Sequence, residues 1–492
     1  MSTRRCVLTG LLLFTLSLAG YARPLPTEEA DASNDMPMTT SSSEARQLFL
    51  QGRDYRENWH MPQALQAWQN AVQKDPDFAL AYLFISMHTT DPKAEAEARA
   101  TAKRLAPQAS HGEQLMIQWF TSAKEGNFVT AIAAMNDLVE LYPKDKSLLF
   151  QAGRWLAMQR RWDRGQNLLE RALVIDPDYT AALNQLGYLY ASYGPQFDKS
   201  FKSFERYSQL QPQEPNPQDS WAEVLRMAGY YDKALEHYRK SLELDPHYLS
   251  SQLGIADTYA LMGDETRART EYDKVIQAGG NERTQLNYMN QVALTYLREG
   301  NKDEASLRYT KSAQRAHELG FSDIEAECHR FMAMYDPNLE RAMKHLDEAE
   351  KVLQGNHTLA ASNLQTGLSR ILYIRAWRAA KAGKTTVAAT AVAGLQKLAG
   401  TSGNNLILQS YHAAAGMLSL AQGKYPAAVT HLEEDRYTHL ISMEQLAVAY
   451  AKAGNRDDAA KLRQEIKQTN LPNIEQVLVV DPLRKAAITA RQ

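Results

Sequence analysis

An all-α solenoid of about twelve helix–turn–helix repeats is the fold this 492-residue sequence predicts. Three observations carry that reading. Prolines recur as a ladder: Pro143 to Pro177 is 34 residues, Pro177 to Pro212 is 35, and Pro212 to Pro246 is 34 again, with Pro76 and Pro107 extending it upstream. Between the rungs, small residues and aromatics return at fixed offsets. No run alternates apolar and polar residues as a half-buried strand would. A fixed period of this length marks supersecondary units that bury their apolar faces on their neighbours, which lets a long chain form one continuous stack.

In the block from Ala45 to Pro76, Gly52 and Ala64 are small where two helices would approach closely. Ala64, Leu65, Trp68, Ala71 and Val72 line one face of the second helix. Pro76 lacks an amide hydrogen and disfavours helix at the residue before it, so the second helix stops there. The pattern returns as Gly153, Ala172 and Pro177, as Leu186, Gly187, Tyr190, Phe204 and Pro212, and as Leu225, Ala234, Tyr238 and Pro246. The next block, with Tyr259, Ala268 and Tyr272, ends in Gly279-Gly280, which stops a helix through a left-handed cap. Beyond it Gly300, Gly383, Gly423 and Gly454 each follow a helical stretch and precede an alanine at the close-packing position: Ala305, Ala388, Ala428 and Ala459. Repeats are expected to start near residues 45, 79, 112, 146, 180, 215, 249, 286, 323, 369, 409 and 440.

These residues resemble the tetratricopeptide repeat, over roughly nine-tenths of the chain and more closely in the first half. The resemblance implies a right-handed superhelix whose concave face is lined by the first helix of each pair. Residues 44–280 then form a regular array, 281–469 a degenerate one, and 470–492 a tail folded over the last helix pair as its cap. The family's concave positions give Phe120, Phe150, Arg154, Tyr188, Glu223, Arg226 and Asp257 as candidate partner-binding residues. An aromatic section precedes a charged one, which suits a protein or peptide partner with aromatic anchors for affinity and charges for register. Packing between repeats is the alternative for the same aromatics. The Lys/Asn/Arg clamp with which some members hold chaperone carboxylates is not recognisable.

Arg4 and Arg5 followed by the apolar stretch Val7–Leu18 and by Gly20-Tyr21-Ala22 read as a cleavable signal peptide, residues 1–22, predicting a soluble, exported and periplasmic or secreted chain without a membrane-spanning segment after cleavage. Tyr21 stands where a lipoprotein would need cysteine. Residues 23–43, with Pro24, Pro26, Pro37 and a Thr/Ser run, are too polar to pack and are expected to form a flexible tether. Cys6 would leave with the signal, so Cys328 has no partner for an internal disulfide and is expected to be a partly buried small apolar side chain. A formal net charge of −2 gives no nucleic-acid footprint.

No motif carries chemistry. There is no Gly-x-Ser-x-Gly, His-Glu-x-x-His, phosphate-binding glycine loop or paired-cysteine zinc spacing. His431 and His439 around Glu433-Glu434-Asp435 read as a solvated turn, and Met332 and Met334 as core filler. The tryptophans fall mostly in helices and read as packing residues. The sequence therefore predicts no enzyme, cofactor or metal, but an exported scaffold that binds a protein or peptide of the cell envelope. The alternatives are an accessory subunit of a polysaccharide or outer-membrane assembly system, and a sensor-like module acting with a separate membrane regulator.

Overall fold

The computed structural model describes residues 35–489, so the expected signal peptide lies outside the described residues. Twelve helix pairs follow one another among them. Repeat 1 joins α1 (Ser43–Glu57) to α2 (Met61–Lys74), repeat 2 α3 (Ala79–His88) to α4 (Pro92–Leu105), and repeat 3 α5 (His111–Lys124) to α6 (Phe128–Leu141). Repeats 4 to 6 are α7 (Lys146–Met158) with α8 (Trp162–Ile175), α9 (Thr180–Ser192) with α10 (Phe197–Leu210), and α11 (Pro215–Met227) with α12 (Tyr231–Leu244). Repeats 7 to 9 are α13 (Leu249–Met262) with α14 (Glu265–Gln277), α15 (Glu282–Arg298) with α16 (Lys302–Glu318), and α17 (Ser322–Tyr335) with α18 (Leu339–Gly355). Repeats 10 to 12 are α19 (Ala361–Lys381) with α20 (Thr385–Ser402), α21 (Asn405–Ala421) with α22 (Tyr425–Glu433), and α23 (Leu440–Ala453) with α24 (Arg456–Gln468). A π-helical turn (Gln476–Val480) leads into α25 (Asp481–Thr489).

The proline ladder works as its chemistry requires. Asp75, Asp176 and Asp245, each just before a rung, leave the helix in an extended conformation with φ −143, −137 and −140 respectively. Each carboxylate then accepts the backbone N–H two residues on, at 3.1, 3.1 and 2.9 Å, fixing the turn into the next repeat. Where the prolines vanish the helices lengthen: α15 and α16 have 17 residues each, α19 has 21 and α20 has 18. With no rung to mark it, repeat 10 begins at Ala361, eight residues before the expected start, whereas the starts at 79, 146, 180, 215, 249 and 440 coincide with the observed ones.

In repeats 1, 4, 5 and 11 the two helices of the pair meet at a glycine. A Cβ on Gly52 would fall 2.5 Å from the Trp68 indole, and one on Gly187 2.5 Å from the Phe204 ring. The large side chain of the second helix therefore lies directly on the first helix's backbone, and Trp68 and Phe204 are fully buried. First helices also touch first helices of the next repeat, as α7 with α9 and α11 with α13, which lays them side by side on one face of the stack.

The stack curls until distant repeats meet. The turn after α1 reaches repeats 4 to 6: Glu57 accepts from Ser147 and Tyr179, Asn58 from Gln211, and His60 lies 3.2 Å from Glu214. Farther on, the second half runs along the turns inside the repeats of the first. Asn405 donates to the Gln159 carbonyl at 2.9 Å, Arg160 to the Tyr437 carbonyl at 3.3 Å, and Asn470 to the Met227 carbonyl at 3.0 Å. Tyr231 donates to Asn470 at 2.6 Å, and Arg298 pairs with Asp481 at 3.2 Å.

Residues 35–42, the described part of the segment expected to be a tether, cross the turns between the first repeats as a strap. Thr40 donates to Asp75 at 2.5 Å, the Thr39 amide donates to Glu113 and the Met36 amide to Asp145, both at 3.0 Å. Its polarity is met by carboxylates at the mouths of successive repeats, which the composition of the segment alone does not reveal.

Candidate functional site

The first helices of repeats 1 to 5 enclose a cleft of about 430 Å3. On α7, Phe150, Arg154 and Met158 stand four residues apart and so share one face, which forms its floor. Leu83 and Met87 of α3, Phe120 of α5 and Ala181 and Asn184 of α9 add neighbouring wall, and Ser362 at the start of α19 closes one side. Phe120 stacks on Trp119 with ring centres 4.2 Å apart, and Phe150 meets Tyr179 edge-on at 5.7 Å.

The turn after α1 supplies the last wall through Trp59 and Met61. Trp59 has φ +64, in the left-handed region that costs a bulky side chain energy. The corresponding turns of repeats 3, 6, 7 and 8 place Gly126, Gly229, Gly263 and Gly300 in that region. The indole is 42% exposed, unlike Trp68 and Trp119, which are fully buried. It lies under the Arg154 guanidinium, 5.9 Å from the ring centre.

Charges in the cleft divide into matched and unmatched ones. Glu95 pairs with Arg99 at 2.8 Å and with Lys124 at 3.0 Å. Glu57 accepts from the Tyr179 hydroxyl at 2.8 Å and from Ser147 at 3.3 Å, and burial pushes its carboxyl up against the opposing pull of Arg56. His88 bonds the Phe84 carbonyl at 2.8 Å; burial, then the Arg56 charge, bring its ring down to about 4, so it is neutral at pH 7. Among the described residues the Arg56 and Arg154 guanidinium groups have no hydrogen-bond or ion-pair partner. Arg56 is only 7% exposed, its Nε and Nη2 are orphaned, and it sits 5.7 Å from the Phe84 and Phe150 ring centres. Burial lowers both guanidinium groups, Arg154 to about 10 with Arg56 as the second cause.

Phe120, Phe150 and Arg154 therefore meet in one cleft, whereas Tyr188, Glu223, Arg226 and Asp257 form a separate ladder between repeats. Tyr188 donates to Glu223 at 2.8 Å, Arg226 donates to Glu223 at 3.2 Å and to Asp257 at 2.6 Å, and Tyr272 donates to Asp257 at 2.5 Å. Arg226 and Asp257 are buried, and their bonds are made within α11 and to α13 and α14, away from the cleft. Arg56, Glu57, Trp59 and His88 are the cleft residues the concave-position rule does not select. A tryptophan in a turn slot that other repeats fill with glycine is the signal that could have found one of them.

Beside this ladder Asp219 accepts from Ser251 at 2.7 Å, and burial pushes its carboxyl up to about 7; burial does the same for Glu265, also to about 7. The unfolded carboxyls titrate near 4, so the folded state holds more protons between roughly pH 4 and pH 7. Their contribution is complete below about pH 4 and is lost as pH rises through 7. Asp219→Asn is expected to flatten the decline of the thermal midpoint between pH 5 and pH 8, by on the order of 1–3 kcal/mol. A slope identical to the wild type in calorimetry at several pH values would show that Asp219 is ionised throughout.

Elsewhere the Cys328 thiol is fully buried, donates to Asn290 at 3.4 Å and is pushed up to about 11 by burial. Met332 and Met334 are buried. His439 pairs with Asp435 at 3.1 Å, while His431 faces His412 with Nδ1 atoms 3.1 Å apart. Among the described residues no group of three or more His, Cys, Asp or Glu could hold a metal, and no helix is long and apolar enough to cross a membrane.

The tetratricopeptide repeat family matches residues 218–248, which span most of α11 and all of α12. No curated protein matches the chain. Similar solved structures include a tetratricopeptide repeat protein from Parabacteroides merdae, 16% identical, covering 61% of this chain and 100% of that one with TM-score 0.38. A thermophilic tetratricopeptide repeat protein from Thermus thermophilus is 19% identical, over 42% of this chain and 98% of that one, with TM-score 0.32. The APC/C hetero-tetramer Cut9–Hcn1 is 15% identical, over 86% and 76%, with TM-score 0.40. The chain therefore carries a tetratricopeptide repeat at α11–α12, and the glycine-on-aromatic packing of repeats 1 and 5 lies upstream of it in the same stack.

Proposed function

We propose that this protein is an exported, non-enzymatic scaffold of the cell envelope that binds a protein or peptide partner in the cleft of repeats 1 to 5. The observation that carries the reading is the lining of that cleft. Aromatic and methionine side chains from α3, α5 and α7, with Trp59 and Met61 beside the turn after α1, face a common space, a composition that suits an anchoring pocket for a large apolar side chain. Export rests on the basic, apolar and small-residue order of residues 1–22.

Expressed with its first 22 residues, the protein is expected in the envelope fraction with Arg23 as its first residue. This mature form should select binders from a displayed peptide library, and Phe120→Ala should weaken them by about 1–2 kcal/mol, roughly tenfold or more, without changing helicity. Phe120 is half-buried, so its truncation leaves the fold intact. A library that enriches nothing, or binders indifferent to Phe120, would remove the cleft as the partner site; an uncleaved cytoplasmic chain would remove export.

A further inference from the structure

We infer that the occupant of this cleft presents a carboxylate to Arg56 and Arg154 while its apolar body lies on Phe120, Phe150 and Trp59. The inference deepens the peptide reading and rests on it for the source of the carboxylate, which is a chain terminus or an acidic side chain next to a large apolar one.

The argument begins with a cost. A buried guanidinium without a hydrogen bond is expensive, and a protein normally pairs it or leaves it in water. Arg56 does neither: it is 7% exposed, and two of its three nitrogens are orphaned in the cleft wall. Its nearest carboxylate, Glu57, is directed to Tyr179 and Ser147 instead. Arg154 of α7 is half-buried over the Trp59 indole and has no ion-pair partner among the described residues. Trp59 is in turn kept in a left-handed backbone conformation. Strain and unpaired charge in one place are what a preorganised anion site requires.

Charge calls for an anion, and the lining selects its kind. Arg56, Arg154, Arg99 and Lys124 face only Glu57 and Glu95, and His88 is neutral, so positive charge is in excess by two. Glu95 already engages Arg99 and Lys124, which leaves Arg56 and Arg154 to meet the anion. The planar guanidinium fork fits two carboxylate oxygens. The apolar lining demands that the carboxylate be attached to an aromatic or aliphatic group.

The test titrates the mature protein by calorimetry with N-acetyl-phenylalanine, with N-acetyl-phenylalaninamide and with inorganic phosphate. The acid is expected to bind about tenfold or more tightly than the amide, and phosphate more weakly than the acid. Arg56→Gln and Arg154→Gln should each abolish the preference for acid over amide. Arg154 is half-buried, so its variant tests the site even if Arg56→Gln fails to fold. Acid and amide binding alike, no binding of either, a preference that survives both substitutions, or phosphate binding best would each overturn the inference. The peptide reading stands or falls separately: a library of peptides with free and amidated C-termini and with or without Asp or Glu shows which source supplies the carboxylate. If the acid binds as expected and no peptide does, the anion site holds and the peptide reading fails.

Discussion

Asp257→Ala is expected to cost about 3–5 kcal/mol, because it strands a buried guanidinium. Arg226 reaches Asp257 at 2.6 Å with its side chain only 5% exposed, and has no route to water once the carboxylate is gone. The remaining partner, Glu223, lies 3.2 Å away and is 40% exposed, so it replaces little of the lost interaction. The Tyr272 hydroxyl loses its acceptor in the same step. The pair itself contributes much less than its removal costs, since both charges lose hydration on folding. The double variant Arg226→Met with Asp257→Leu should therefore recover most of the loss. Urea denaturation of the two single variants and the double variant measures the coupling directly. A cost below about 1 kcal/mol for Asp257→Ala would mean that the ladder is hydrated in solution. Because the ladder crosses α9, α11, α13 and α14, its loss should loosen repeats 5 to 7 while repeats 1 to 3 stay protected, as a stack of nearest-neighbour interfaces allows.

The repeat was legible in the sequence because its determinants are local. The Asp-Pro pairs at Asp75, Asp176 and Asp245 each end a helix through local chemistry, and Gly187 with Phe204 can be recognised as a packing pair from spacing alone. The degenerate repeats were harder to place for the same reason: near Ala361 no proline marks the boundary, and burial on neighbours defines it. Phe120, Phe150 and Arg154 were reached by a positional rule that assumes each first helix faces open solvent along the concave surface. That rule does not distinguish them from Arg226 and Asp257, because the rule knows the direction of a side chain and not what lies opposite. Arg56 escaped altogether. A basic residue in the last turn of a helix is ordinary, favoured by the helix dipole, and its burial follows from how far the stack curls. That curl is set by polar contacts across 90 to 277 residues, such as Glu57 with Ser147 and Arg160 with Tyr437, none of which has a periodic signature.

Removing residues 470–492 should show that the curl is held from its far end. Ile474, Val479 and Val480 are buried in one core with Leu462 and Ile466 of α24. Their removal forfeits roughly 1.5–3 kcal/mol per side chain and leaves the outer face of the last repeat apolar. Arg484 also leaves the carbonyls of Lys467 and Thr469, both at 2.9 Å. Repeat 12 should then unfold ahead of the rest, and the truncated chain should aggregate at concentrations where the full chain is soluble. The more telling effect lies 240 residues upstream. Asn470 bonds the turn between α11 and α12 through Met227 and Tyr231, and Asp481 neutralises Arg298 at the end of α15. Hydrogen exchange should therefore accelerate in both places although neither is near the deletion in sequence. Asp481→Ala separates the two causes. It keeps the apolar core and unpairs a guanidinium that is 6% exposed, so it should raise exchange at the end of α15 while repeat 12 stays folded. If exchange at Met227 and Arg298 is unchanged in the truncated chain, the two halves do not hold one another in solution, and the curvature of the cleft must come from the inter-repeat interfaces alone.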